Sequence, residues 1–170
     1  GGAVFRVSVP IAEAFEAAPP VQRRSIDRAG TPSGALVVGI DDDPSVREAL
    51  SLLLESWGFT TVTAATANEV MQRLSEANRT PDLVIADYQL QKGEKGSHAI
   101  RDIQRRWGED IPGLLLTGDV EPRRLKEAAA SGFQVVHKPI QPDRLKAVVA
   151  EQIKSKKSGG DADPRTRKQG

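Results

Sequence analysis

Residues 36–50, "LVVGIDDDPSVREAL", join an apolar run of strand length to three consecutive aspartates and an amphipathic stretch. Short β-branched and leucine-rich runs are typical of strands buried on both faces of a parallel sheet. Asp43 before Pro44 is a common helix start, because the Asp side chain caps the first turn and Pro is tolerated there. Asp41 and Asp42 are left without a structural role, and their mutual repulsion indicates that a cation or raised pKa values relieve them.

The same strand–helix unit recurs along the chain. The predicted strands cover residues 35–40, 60–65, 82–87, 113–118 and 133–138. The predicted helices cover residues 44–57, 67–77, 97–107, 122–131 and 142–154, with a capping box formed by Thr66 and Glu69 and glycines at several helix ends. This alternation predicts an α/β fold in which right-handed crossovers build a doubly wound parallel sheet.

The bulk composition excludes several classes of function. A net charge of +1 over 170 residues creates no strong field toward nucleic acid or a membrane surface. The absence of cysteine excludes a disulfide framework and a thiolate metal site. No apolar run approaches the roughly 20 residues that span a bilayer, and the N-terminus lacks a signal-peptide pattern. We therefore expect a soluble, cytoplasmic domain without nucleic acid as a partner and without membrane contact of its own.

Chemically active residues are predicted where the strands end. Ligands of open α/β sheets bind outside the carboxyl ends of the strands. The sequence places three carboxylates, a hydroxyl and an ammonium there, from Asp41, Asp42, Asp87, Thr117 and Lys138. Clustered carboxylates without imidazole or thiolate suit a hard divalent cation such as Mg²⁺. A carboxylate beside that ion can attack phosphorus, while a Lys and a hydroxyl stabilise the transferred group.

Four segments together resemble the receiver domain of two-component response regulators. They are "IDDDPSVREALSLLLESWGF" (40–59), "PDLVIADYQL" (81–90), "LLLTGD" (114–119) and "GFQVVHKPI" (132–140). The resemblance covers roughly residues 35–153 and implies a flavodoxin-like (βα)₅ fold with strand order 2-1-3-4-5. It also implies a function in bacterial signalling, in which the domain takes a phosphoryl group from a phosphohistidine and switches conformation. Self-phosphorylation and autodephosphorylation are the only catalysis that it implies.

The resemblance assigns roles to individual residues. Asp87 would be the phosphoacceptor, Asp42 a direct ligand of Mg²⁺ (or Mn²⁺), Asp41 a ligand through water, Gln89 a ligand through its backbone carbonyl, Thr117 the switch hydroxyl and Lys138 the cation that pairs with the phosphoryl group. Pro139 resembles the cis-proline turn of the family. The family often has Tyr or Phe three residues before the lysine, whereas this chain has Val135.

The flanking segments resemble parts of a hybrid sensor histidine kinase, in which a receiver follows the kinase. We expect a remnant of the last strand of the ATP-binding domain at residues 1–17, a flexible linker at 18–34, the receiver at 35–154 and a disordered tail at 155–170. The kinase catalytic domain would then belong to a longer, membrane-associated parent. The expected partner is a histidine-kinase dimerisation and phosphotransfer domain or a histidine phosphotransfer protein, and a weak homodimer is left open.

Two other classes of function compete with a phosphoacceptor. A pseudo-receiver would keep the fold as an interaction module that works without phosphorylation, and Val135 leaves room for it. A phosphatase of the haloacid-dehalogenase type would need a carboxylate two residues after the nucleophile, where this chain has Gln89. A flavin or dinucleotide protein is disfavoured because no Gly-rich phosphate loop follows the first strand.

Overall fold

The computed structural model describes residues 34–118 and 122–159. The predicted kinase remnant at residues 1–17, nearly all of the predicted linker and the last part of the predicted tail lie outside these residues. Within the described part, no helix is both long enough and apolar enough to cross a bilayer.

Five parallel strands form one sheet in the order β2-β1-β3-β4-β5. The strands are β1 (Leu36–Ile40), β2 (Thr60–Ala64), β3 (Leu83–Asp87), β4 (Gly113–Thr117) and β5 (Gln134–His137). The helices are α1 (Pro44–Ser56), α2 (Ala67–Ala77), α3 (Gly96–Trp107), α4 (Pro122–Ala130) and α5 (Pro142–Gly159), with a single 3₁₀ turn at Gln91–Gly93. The predicted (βα)₅ fold and its strand order are confirmed.

The core consists of two apolar clusters, one on each face of the sheet. Val38 of β1 packs in the cluster that contains α2 and α3 residues, whereas Val37 packs in the cluster that contains α1 and α5 residues. Successive side chains of a strand point to opposite faces, so a strand covered on both faces has to be apolar throughout. This explains the continuous apolar run before the aspartates, since all five β1 residues are buried.

The predicted helix starts are formed by the residues that the sequence indicated. The Asp43 side chain accepts a hydrogen bond from Ser45 N at 2.8 Å, and Pro44 is the first residue of α1. Thr66 Oγ1 accepts from Glu69 N at 3.3 Å. The Glu69 carboxylate accepts in return from Ala65 N at 3.4 Å, one residue before the cap. The second arm of the predicted capping box is therefore shifted by one residue.

The last helix is longer than predicted. The apolar pattern predicted an end at residue 154, but α5 runs to Gly159, so five residues of the predicted disordered tail are helical. The added turn is polar, and polar residues with good helix propensity extend a helix without an apolar face to reveal it. Lys156 Nζ also donates to Pro81 O at 3.1 Å, which fastens this end of α5 to the segment before β3.

Candidate functional site

The parallel register brings the predicted residues to one edge of the sheet. Ile40 pairs with Ala86, so the residues that follow them, Asp41 and Asp87, lie side by side at the carboxyl ends of β1 and β3. On the other side of β3, Thr117 ends β4, and its carbonyl accepts from Lys138 N at 2.7 Å. Four strand ends thus contribute to one site.

Lys138 is the centre of this site. Its Nζ lies 2.9 Å from Asp87 Oδ1 and 3.1 Å from Asp41 Oδ2. The exposed fractions of the side chains are 31% for Lys138, 16% for Asp87 and 6% for Asp41. The peptide bond from Lys138 to Pro139 is cis, as the resemblance implied. One largely enclosed ammonium therefore contacts two carboxylates, and the group of three keeps an excess of negative charge.

Burial and neighbouring charges perturb both members of the central ion pair. Burial raises the pKa of Asp87 and outweighs the opposite effect of Lys138, while the charges of Asp41 and Asp42 raise it further. For Lys138, burial alone would lower the pKa, but the hydrogen bonds and charges of its two carboxylate partners outweigh burial and raise it. The ammonium is thus held in its charged form, whereas the Asp87 carboxylate lies in an excess of negative charge. A further cation would stabilise that carboxylate.

Asp41 and Asp42 differ in the partners of their side chains. Asp41 is almost fully buried, and its Oδ1 accepts from Asp43 N at 3.0 Å, in addition to the Lys138 contact. Asp42 is partly buried, and among the described residues no group hydrogen-bonds its carboxylate. Arg47 holds the backbone of both, because its NH1 donates to Asp41 O at 2.7 Å and to Asp42 O at 3.0 Å. The loop is therefore fixed while the Asp42 side chain remains available.

The other predicted residues surround this centre. The Thr117 side chain is buried at the end of β4. Gln89 is exposed two residues after Asp87 and forms an isolated antiparallel bridge with Lys95. Val135 is partly buried in β5 and packs against the core cluster of α2 and α3, so it is a structural apolar residue.

The donor set matches a magnesium ion better than an ion that needs a cage of side chains. Within the described ranges, no three Asp, Glu or His side chains are grouped so that they could hold a metal ion by themselves. The predicted set uses two carboxylates, from Asp42 and Asp87, and the Gln89 carbonyl. Mg²⁺ in proteins is usually held by one or two carboxylates, with waters and phosphate oxygens as the other ligands. The residues present fit that ion.

A second polar cluster beside the site was not predicted from the sequence. Tyr88, directly after Asp87, is buried, and its hydroxyl donates to Glu127 Oε2 of α4 at 3.3 Å. Lys95 Nζ donates to the same oxygen at 2.8 Å. Glu127 follows Lys95 by 32 residues in the chain, so no local pattern could pair them. Before the fold is known, Glu127 is one of several charged residues on a solvent-facing helix.

Gly96, the first residue of α3, is another site residue that sequence reasoning missed. A Cβ atom at this position would lie 2.0 Å from Asp87 O and 3.0 Å from Ala86 Cβ. Such a distance to a backbone oxygen is impossible, so only glycine lets α3 begin against the end of β3. The sequence signal was a lone glycine just before a predicted helix, which is usually read as a loop residue.

Comparison with known sequences identifies the same domain. Residues 37–150 match the family described as the response regulator receiver domain. The chain is 30% identical over 115 residues to the phyllosphere-induced regulator PhyR of Methylorubrum extorquens and 30% identical over 117 residues to the CAI-1 autoinducer sensor kinase/phosphatase CqsS of Vibrio cholerae. Each match covers 67% of this chain, but 42% of PhyR and 17% of CqsS. The chain therefore spans less than half of the length of either relative.

Solved structures agree with these sequence matches. A response regulator receiver domain protein from Clostridium thermocellum superposes with a TM-score of 0.64 and 25% identity, covering 73% of this chain and 98% of that one. The chemotaxis response regulator CheY4 of Vibrio cholerae superposes with a TM-score of 0.60 and 24% identity. This match covers 71% of this chain and 99% of CheY4, and it supports the fold alone. With the family match over residues 37–150, these likenesses show that the chain belongs to the response regulator receiver family of two-component systems.

Proposed function

We propose that residues 35–154 form a phosphoacceptor domain in which Asp87 takes a phosphoryl group from a phosphohistidine in a Mg²⁺-dependent reaction. The observation that carries this proposal is the contact of one ammonium, Lys138 Nζ, with the Asp87 and Asp41 carboxylates at 2.9 and 3.1 Å. Asp87 is partly enclosed at the carboxyl edge of the sheet, where ligands of this fold bind. A nucleophile and a cation that can stabilise the transferred group therefore lie side by side.

The transfer itself needs little from the protein beyond positioning. An Asp87 carboxylate oxygen attacks the phosphorus, the bond from phosphorus to the histidine nitrogen breaks, and the imidazole leaves with the electron pair and takes up a proton. Lys138 then pairs with the oxygens of the phosphoryl group, and the Thr117 hydroxyl donates to one of them. The product is an aspartyl phosphate, and the domain switches conformation around it.

The metal ion would be held by Asp42, Asp87 and the Gln89 backbone carbonyl, with Asp41 acting through water. When bound, Mg²⁺ (or Mn²⁺) neutralises the carboxylates and the phosphoryl oxygens. The lack of a hydrogen-bond partner for the Asp42 carboxylate among the described residues supports its role as a ligand. Burial is the main cause of the raised pKa of Asp87, and the charges of Asp41 and Asp42 add to it.

Hydrolysis of the aspartyl phosphate is expected to be slow. Efficient aspartate-nucleophile phosphatases place a general acid near the nucleophile, and Gln89 cannot supply a proton as a carboxylic acid does. The domain is therefore proposed to act as a switch that dephosphorylates itself and not as an enzyme with an external substrate.

The chain is proposed to come from a hybrid histidine kinase that works in the cytoplasm. The strand-like segment and linker at residues 1–34 support this origin, as does the likeness to a sensor kinase of Vibrio cholerae. The phosphoryl donor would be the dimerisation and phosphotransfer domain of a histidine kinase, or a histidine phosphotransfer protein.

The decisive test is phosphorylation by a small donor. Wild type and Asp87→Asn are incubated with Mg²⁺ and acetyl phosphate, and the intact chains are weighed by mass spectrometry. We expect a single base-labile phosphoryl adduct on wild type and none on Asp87→Asn, because the amide is not a nucleophile. Asp143→Asn, at an exposed position in the first turn of α5, is the matched control and should be labelled like wild type. Equal labelling of Asp87→Asn would exclude Asp87 as the acceptor.

The same proteins test the metal site. Asp42→Asn should weaken Mg²⁺ binding at least about tenfold, since even residues behind the direct ligands contribute this much. Calorimetric titration with Mg²⁺ measures the affinity, and an unchanged value would remove Asp42 from the ligands. A wild type that binds Mg²⁺ but takes no phosphoryl group would instead identify a pseudo-receiver.

A further inference from the structure

Few of the α4 side chains that the structure describes are buried against the rest of the domain. Among the α4 side chains that the structure describes, only that of Ala128 is fully buried. Arg101 NH2 of α3 donates to Ser131 O at 2.9 Å, which fastens the end of the helix. Elements with little buried apolar surface are the parts of a protein that open or shift most easily. The polar contacts of the described α4 side chains therefore contribute to where the helix lies.

Glu127 supplies the polar contact between α4 and the phosphorylation site. Its Oε2 accepts from Tyr88 and from Lys95, the two ends of the loop that connects β3 to α3. Arg123, one turn earlier on α4, lies 3.6 Å from the other carboxylate oxygen and neutralises it from the helix side. One carboxylate thus joins α4 to both ends of the loop that follows Asp87.

The two ends of the loop are tied to each other by backbone contacts. Gly96 N donates to Tyr88 O at 3.0 Å, Leu90 N donates to Glu94 O at 2.9 Å, and Gln89 forms a bridge with Lys95. The missing Cβ of Gly96 lets this closed loop rest on the Asp87 carbonyl. A shift of the backbone at Asp87 is therefore transmitted to the groups that hold Glu127.

The two partners of Glu127 differ in how firmly they are held. The Tyr88 side chain is buried, so its hydroxyl is held in place by packing. The Lys95 and Glu127 side chains are 44% and 41% exposed, and ion pairs in water are weak and easily exchanged. Such a contact has a defined geometry, because the Tyr88 hydroxyl is held in place, and it breaks at low cost, because the ion pair is exposed to solvent.

We propose that Glu127 is a latch that holds α4 against the loop of residues 88–95 in the unphosphorylated domain and opens when Asp87 is phosphorylated. The proposal rests on the function proposed above. The phosphoryl group adds negative charge next to Tyr88 and draws on Lys138 and Thr117. Thr117 ends the strand that precedes α4, and Asp87 ends the strand that precedes the loop. Phosphorylation would therefore act on both sides of the Glu127 contact. On β5 this chain has Val135 where the family often has Tyr or Phe. In this proposal the hydroxyl of Tyr88, directly after Asp87, forms the link to α4.

The test measures hydrogen–deuterium exchange of the α4 amides with and without phosphorylation. Wild type, Glu127→Ala and Tyr88→Phe are compared in Mg²⁺ buffer, before and after addition of acetyl phosphate, and intact mass reports Asp87 labelling in the same samples. Tyr88→Phe removes the hydroxyl and keeps the buried ring. Glu151→Ala, at an exposed position on α5, is the matched control because it changes helix propensity by the same amount.

The latch predicts a definite pattern. In wild type, phosphorylation should raise α4 exchange several-fold. Unphosphorylated Glu127→Ala should already exchange that fast and respond little to labelling, Tyr88→Phe should lie between, and Glu151→Ala should match wild type. All four proteins should be labelled at Asp87.

Two results would overturn the latch while the phosphoacceptor function stands. One is α4 exchange in the unphosphorylated variants equal to that of wild type. The other is a response to labelling that is the same in wild type and Glu127→Ala, which would leave Glu127 as a purely structural contact. If wild type takes no phosphoryl group, the proposed function and the opening step fail together. Whether Glu127 holds α4 is then decided by comparing the α4 amide exchange of the unphosphorylated wild type and variants.

Discussion

Two carboxylate–ammonium contacts lie on opposite sides of the end of β3, and they look alike by distance. Lys138 Nζ is 2.9 Å from Asp87 Oδ1, and Lys95 Nζ is 2.8 Å from Glu127 Oε2. Their surroundings differ, because the first pair is enclosed at the sheet edge with a second carboxylate, whereas the second pair lies in solvent. The distance between two charges therefore does not rank their importance.

Solvation decides what each pair contributes. Loss of Lys138 would leave two partly buried carboxylates without a counter-charge, and such groups are costly. Loss of Lys95 would leave Glu127 exposed to water, which replaces the lost partner at little cost. The enclosed pair is suited to fixing a reaction geometry, and the solvated pair to changing partners.

Gly96→Ala should have the largest effect, since this residue lies between the two contacts. The added Cβ would collide with the Asp87 carbonyl oxygen, so the start of α3 and the loop must shift. We expect a loss of about 3 kcal/mol in the free energy of unfolding. Urea denaturation measures it. Gly118→Ala is the matched control, because among the described residues no atom beyond its chain neighbours lies within 4 Å of its Cβ position. Equal stability of Gly96→Ala and wild type would mean that this close approach is absent.

Lys138→Met and Lys95→Met compare the two contacts directly. Lys138→Met should cost about 2 kcal/mol, less than the loss of a fully buried partner because the side chain is partly exposed. Lys95→Met should leave the melting temperature unchanged within error. Adding Asp87→Asn to Lys138→Met should restore part of the lost free energy of unfolding, because it removes one of the two carboxylates that have lost their counter-charge. Equal losses for the two lysine variants would contradict the comparison.

The pH dependence of Glu127 should show the smallest effect. The hydrogen bond and charge of Lys95 hold the pKa of Glu127 below its usual value of 4.5, with smaller contributions from Tyr88 and Arg123. The contact is therefore fully present above that pH and is lost as the pH falls through the lowered pKa. An NMR titration of the Glu127 carboxyl group follows it. Lys95→Met or high salt should return the pKa toward 4.5, and no change in either case would exclude the pair.

The sequence predicted the fold well because its signals are local. Three strands, β1, β3 and β4, are nearly continuous apolar runs, and α1 and α2 begin at a capping side chain, so the alternation could be predicted without tertiary contacts. The end of α5 was wrong by five residues, since the added turn has no apolar side chain and is fastened by a contact between Lys156 and Pro81 from a distant part of the chain.

The site was predictable where residues follow strand ends and hidden where contacts cross the fold. Asp41, Asp87, Thr117 and Lys138 each end or follow an apolar run, and the sheet then brings them together. Glu127 gives no such signal, because its partners come from another loop and one of them is a buried tyrosine. Gly96 could be understood only from its distance to the Asp87 carbonyl oxygen.

The hydrogen bonds from Arg47 to the backbone of Asp41 and Asp42 have a consequence for which substitutions this domain can tolerate. The guanidinium holds Asp41 and Asp42 by their carbonyl oxygens, which every amino acid possesses. The shape of the loop is therefore largely independent of the side chain at position 42. Mutation can therefore replace that carboxylate while the backbone of the loop keeps its contacts with Arg47. A single codon change could therefore remove the proposed magnesium ligand while the domain keeps its fold.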